Sequence, residues 1–169
     1  MFSSDQLVEK VQPNTIDEVV IGGSFGVIFK VLSSATDGSA SIVEHTLGPK
    51  VLAAPPHKHR SEDEISYIVE GQVAVLQGDE VTIAGAGSYV VKPRGIFHTF
   101  WNAGDEPARM IEVIAPGGFE SYFRELAPLI PQNAAPDIGS IIALGQRYGL
   151  EYDMQRVPEL IQRYGLNMG

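Results

Sequence analysis

The chain has 169 residues, a length that suits one domain, and 44% of them are hydrophobic, which is enough to bury a core and to exclude disorder as the main state. Twelve Lys and Arg against 21 Asp and Glu give a formal charge of −9, which argues against nucleic acid and anionic membrane surfaces, since both attract positive patches. There is no cysteine, so disulfides, zinc–thiolate sites and cysteine nucleophiles are excluded, and 18 Gly with 11 Pro suggest the many turns of an all-β domain.

Residues 1–15 read as a polar N-terminal extension that closes in the turn Gln12-Pro13-Asn14-Thr15. They lack the basic start and apolar run of a signal peptide, and no later stretch approaches the roughly 18 apolar residues of a membrane span. The expectation is a soluble cytoplasmic protein.

From Ile16 to about Pro116 short runs rich in Val and Ile alternate with turns. The runs are Glu18–Ile21, Gly26–Leu32, Ser41–Leu47, Ile65–Glu70, Gln72–Leu76, Glu80–Ile83, Ser88–Val91, His98–Asn102 and Arg109–Ile114. The separators carry Gly or Pro, as in Gln77-Gly78-Asp79 and Pro93-Arg94-Gly95. Many short strands without helical crossovers predict a sandwich or barrel and exclude a doubly wound parallel sheet. Residues 117–169 read as a helical tail. Phe119, Phe123, Leu126 and Ile130 follow a 3.6-residue period, Asp137 caps a helix over Ile138–Tyr148, and a last helix spans Pro158–Tyr164. The repeated Gln-Arg-Tyr-Gly-Leu at 146–150 and 162–166 reads as two helix C-caps, each with Gly in the left-handed conformation and Leu packing back.

Three of the four histidines sit in two informative contexts. In Pro56-His57-Lys58-His59, residues i and i+2 of an extended segment face one side, so both imidazoles can converge on one point. The polar tetrapeptide Arg60–Asp63 can turn the chain and return Glu64 to that point. Two imidazoles and a carboxylate suit Fe, Mn, Ni, Cu or Zn. In the second context Gly87, Pro93 and Gly95 shape turns ahead of His98, whose strand face also carries Phe100 and Asn102.

These segments resemble the two signature motifs of the cupin superfamily. His57-x-His59-x₄-Glu64-x₆-Gly71 matches the core of the first, and Gly87-x₅-Pro93-x-Gly95-x₂-His98-x₃-Asn102 matches the second throughout. One departure is Val51, at the first motif's usual glycine; the nearest upstream glycine is Gly48. The resemblance implies an all-β double-stranded β-helix, a jelly-roll barrel over residues 16–116. It implies one divalent transition ion held by His57, His59, Glu64 and His98. From Arg109 to Leu126 the chain also resembles small single-domain bacterial cupins grouped with quercetin 2,3-dioxygenases. That implies a metal-dependent dioxygenase acting, with O2, on a planar phenolic or enolisable molecule, with Glu64 as the proton acceptor once burial raises its pKa. The rival readings are an isomerase, lyase or cyclase in which the metal is only a Lewis acid, and a non-catalytic small-molecule binder. A homodimer is expected, since edge strands need covering.

Several residues carry a plainer reading beside the chemical one. His45 shares a strand face with Val43 and Leu47 and reads as an ordinary hydrogen-bonded strand histidine rather than a ligand. Glu62 and Asp63 read as a solvated acidic turn, and Arg94 as a surface turn residue. Phe100 is the best candidate for lining a substrate pocket, while Phe119 and Phe123 dock the first tail helix on the barrel.

Overall fold

The computed structural model describes residues 17–169, so the N-terminal extension and Ile16 lie outside the described residues. Eleven strands come first: β1 (Asp17–Ile21), β2 (Phe25–Val31), β3 (Ser41–Leu47), β4 (Val51–Leu52), β5 (His57–His59), β6 (Asp63–Glu70), β7 (Gln72–Gln77), β8 (Glu80–Gly85), β9 (Tyr89–Lys92), β10 (His98–Asn102) and β11 (Ala108–Ala115). The tail holds α1 (Glu120–Leu126), α2 (Ile138–Arg147), β12 (Leu150–Tyr152), α3 (Val157–Tyr164) and β13 (Asn167–Met168). Each run of alternating or continuous apolar residues expected as a strand is one.

The strands form two sheets that face each other as a jelly roll and do not close into a barrel. The first has the order β1-β2-β3-β11-β6-β9; the second runs β12-β5-β10-β4-β13, with β7 and β8 joined to it through β10. Inward positions of the first sheet alternate strictly: Val43, His45 and Leu47 on β3 and Met110, Glu112 and Ile114 on β11 are buried. In β10 all five residues are buried, because both faces of the second sheet are covered. Phe100 points into the main core, whereas Trp101 packs outward with Leu52, Leu76, Leu160 and Leu166. Its indole lies 4.8 Å from the ring of Tyr164 on α3.

Motif residues that are not ligands hold the turns. Gly71 has φ 78°, and a Cβ there would lie 2.9 Å from Cβ of Ala108, so only glycine fits. Asn102 Nδ2 donates to the carbonyls of Leu47, Gly48 and Glu106 at 3.2, 3.1 and 2.8 Å, tying β10 to the turns beside it. The missing glycine at Val51 is accommodated because the left-handed residue of that turn is Lys50, with φ 57° and its Nζ on the carbonyl of Ala103 at 2.7 Å. Val51 itself is a buried strand residue.

The tail is hydrogen-bonded into the second sheet. Asp137 caps α2 by accepting from the amide of Ser140 at 3.1 Å, and Gly149 and Gly165 take positive φ after their helices. Leu150 and Leu166 are buried, as their C-cap reading requires. Each cap also launches a strand: β12 pairs antiparallel with β5, and β13 pairs parallel with β4. No helix among the described residues is long and apolar enough to cross a membrane.

Candidate metal centre

Two neighbouring strands of the second sheet bring three imidazoles together. His57 and His59 lie on one face of β5, and His98 on β10 is the cross-strand partner of His57. All three are buried, and one nitrogen of each lies within 4.8 Å of the others. The outward nitrogens are occupied. Nδ1 of His57 lies 2.8 Å from the carbonyl of Pro55, and Nδ1 of His98 lies 3.1 Å from that of Ile96. A carbonyl only accepts, so each Nδ1 carries the proton and each Nε2 keeps a lone pair. Nδ1 of His59 is 3.3 Å from Oε2 of Glu62. Glu62 is therefore no solvated turn residue: it orients a candidate ligand, the arrangement by which carboxylates raise the basicity of metal-binding imidazoles.

Nε2 of His59 and Nε2 of His98 are buried and have no hydrogen-bond partner among the described residues. Leaving such an atom unpaired costs about 1–3 kcal/mol, and together with the shared focus this fits a bound cation. Burial lowers the pKa of His98, and burial with the charges of His98 and His59 lowers that of His57 well below the ordinary value. Both rings are therefore neutral at pH 7, as metal ligation requires.

Glu64 reaches the same point from β6 on the first sheet. Its Oε1 is 3.4 Å from Nε2 of His59 and its Oε2 is 3.2 Å from Nε2 of His98, without hydrogen-bond geometry in either case. Its environment differs from the expected one. Burial alone would raise the carboxyl, but Lys92, His59 and His98 outweigh burial and hold it well below the usual carboxylate range. Glu64 is accordingly a weak base.

Lys92 was not anticipated from the sequence. It is fully buried, pairs with Glu64 across β9 and β6, and places Nζ 2.9 Å from Oε2 of Glu64 and 2.7 Å from Oε2 of Glu112. Burial pulls Lys92 down, yet Glu112 and Glu64 more than compensate and hold it above the ordinary lysine value. Burial lifts Glu112 to about 7 against the pull of Lys92, and Ser66 Oγ donates to it at 3.1 Å. The signal for Glu112 lies in the alternation Met110-Glu112-Ile114, which puts a carboxylate on an inward face. Lys92 becomes recognisable only once Glu64 is known to lie opposite it.

A cavity of about 40 Å³ adjoins the centre. Its lining includes His45, His57, Glu64 and Phe100, with Tyr122 and Tyr152 from the tail. Phe100 thus lines the chamber, with Nζ of Lys92 4.6 Å from its ring centroid. Phe119 and Phe123 dock α1, as expected, and also form chamber wall, against His59 at 4.6 Å and His45 at 5.5 Å between ring centroids. The hydroxyls of Tyr122 and Tyr152 lie 2.5 Å apart. His45 is packed among Phe25, Phe100 and Phe123 with Nδ1 unpartnered, and burial first, then Lys92, lowers its pKa to about 3. Arg94 is engaged elsewhere, in a two-point ion pair with Asp63 at 3.0 and 2.6 Å. Outside the chamber, an open groove of about 710 Å³ runs past His59 between β5, β12 and α2.

Residues 43–114 match a family model described as a cupin domain. An uncharacterized protein of Streptomyces coelicolor is 34% identical over 59 residues, an alignment covering 35% of this chain and 55% of that protein. The chain therefore matches little more than half the length of that relative. Among solved structures, KdgF from a Halomonas species superposes with a TM-score of 0.55 at 17% identity, covering 62% of this chain and 90% of that one. An RmlC-like cupin from Shewanella frigidimarina gives 0.55 at 18% identity, over 64% and 90%. A sugar phosphate isomerase of the cupin superfamily from Silicibacter pomeroyi gives 0.53 at 18%, over 62% and 73%. At these identities the structures share the fold alone.

Proposed function

Since residues 43–114 match the cupin domain and the fold is that of cupins, we propose that the chain is a metal-dependent enzyme acting on a small, acidic, enolisable or phenolic molecule, with O2 as co-substrate. His57, His59 and His98, with Glu64, would hold one divalent transition ion, with Fe, Mn, Ni, Cu and Zn all compatible with that donor set. The observation that carries the reading is the shared focus of three buried imidazoles, two of whose nitrogens have no hydrogen-bond partner among the described residues. Once bound, such an ion supplies Lewis-acid and redox chemistry.

The chain's own residues restrict the substrate. A chamber of about 40 Å³ favours a small molecule, since drug-sized ligands occupy roughly 300–1,000 Å³. That favours a short diketone or a single phenolic ring over a flavonol. Glu64, kept ionised by Lys92, would take a proton only from an acidic group. Two phenols sharing one hydrogen bond leave one O–H over, so the Tyr122–Tyr152 pair can donate to a substrate oxygen. The aromatic wall excludes bulk water.

The test is metal analysis of protein purified without chelator or metal-affinity resin, followed by oxygen uptake with small 1,3-diketones, catechols and flavonols. Uptake with the first two and not the third is expected. No uptake by metal-replete protein across the panel rejects the oxygenase reading in favour of Lewis-acid isomerase or lyase chemistry. We also propose a cytoplasmic homodimer. Ile65, Tyr89 and Val91 are 39, 72 and 56% exposed on the outer face of the first sheet, side by side on β6 and edge strand β9, which supports self-association. Light scattering showing a monomer at micromolar concentration would reject it.

A further inference from the structure

The ion pair beside the centre does more than balance charge. Lys92 has no exposed surface, and its ammonium meets two carboxylates and the face of Phe100. A buried ammonium is tolerated only with such partners. Its far partner cannot yield: Glu112 is held by the hydroxyl of Ser66, 3.1 Å from each of its oxygens. The ammonium is therefore fixed, and it makes the two oxygens of Glu64 unequal. Oε2 carries a charge-assisted bond to Lys92 at 2.9 Å, although it also lies 3.2 Å from Nε2 of His98. Oε1 lies 3.4 Å from Nε2 of His59 and, among the described residues, has no lysine or arginine on it.

We propose that Lys92 is a positioning residue that confines Glu64 to one-oxygen coordination through Oε1, so that a coordination position at the three-histidine centre stays free for a ligand. This rests on the metal reading above. A carboxylate free to bind through both oxygens would fill that position itself. Lys92 thus sets the coordination number rather than touching the reacting atoms.

Cobalt(II) alone is the probe, because its visible bands report coordination number. Wild type is compared with Glu112→Gln and with the double variant Lys92→Met/Glu112→Gln. At pH 8, above the Glu112 value of about 7, the double variant removes one positive and one negative charge, so the chamber's net charge is essentially unchanged and only the hold on Glu64 is lost. Glu112→Gln alone keeps that hold. Wild type and Glu112→Gln should share one spectrum. The double variant should show weaker bands, as coordination number rises by one, and should bind cobalt about tenfold more tightly, since Oε2 is released from a charge-assisted bond. A second measurement requires no substitution: the cobalt-loaded minus metal-free infrared difference spectrum of wild type should show the wide carboxylate splitting of one-oxygen binding. An unchanged spectrum and affinity in the double variant, or a narrow splitting in wild type, overturns the inference alone. No cobalt binding by wild type overturns it together with the metal reading.

Discussion

The two inner faces of the jelly roll divide the chemistry between them. The second sheet contributes three buried imidazoles tied from behind by Pro55, Ile96 and Glu62. The first sheet contributes the charges, Glu64, Lys92 and Glu112, on three adjacent strands. The lesson is that donor geometry and electrostatic tuning are carried by separate frameworks, which can be altered independently.

The largest effect should come from the imidazole face. His98→Ala should remove most of the bound metal, because one of four donors is lost while the fold around it persists. Elemental analysis showing full occupancy would refute the ligand assignment. On the charged face, Lys92→Ala leaves two buried carboxylates without a cation and should cost about 3–5 kcal/mol in urea unfolding. A cost under 1 kcal/mol would mean that water enters freely and the face is not dry.

Glu62→Ala sharpens the comparison at its boundary, since it removes a charge from the imidazole side without touching a donor. Metal affinity should fall about 10–100-fold with little change in stability. Equal affinity would show that His59 is oriented by packing against Phe119 instead. The smallest effect concerns His45, whose folded-state pKa of about 3 lies below the unfolded value near 6.5. Between these values the unfolded chain binds a proton that the folded chain does not. Stability should therefore fall as the pH drops through that window, by up to about 1.4 kcal/mol per pH unit, with no contribution above it. His45→Leu should flatten that slope; an unaltered acid limb would place the effect elsewhere.

The imidazole face was legible in the sequence because its rule is local. His57 and His59 share a face by strand periodicity alone, and His98 follows a turn marked by Pro93 and Gly95. The charged face was half hidden. Glu112 sits on an inward alternation that could have marked it, but Lys92 is bounded by Val91 and the turn residue Pro93 and resembles any strand-end lysine. The direction of the Glu64 pKa was misread for that reason: burial was visible, its counterion was not. His45 is hydrogen-bonded to the backbone of Gly26, as its strand position suggests, while its Nδ1 has no partner among the described residues, because an aromatic cage from three separate segments surrounds it. In the tail the helices and caps were legible, whereas β12 and β13 span three and two residues, too short for any period to show. The meeting of Tyr122 with Tyr152 is a tertiary fact without a sequence signature.

β12 has a bearing on the order of events during synthesis. The strand that carries His57 and His59 is only three residues long, and one of its edges is completed by Leu150–Tyr152. On the ribosome those two histidines emerge some ninety residues before that edge is made. Until then β5 has one neighbour, β10, and the aromatic wall from α1 and β12 is absent. The wall of the centre is therefore completed last, on a nearly finished chain.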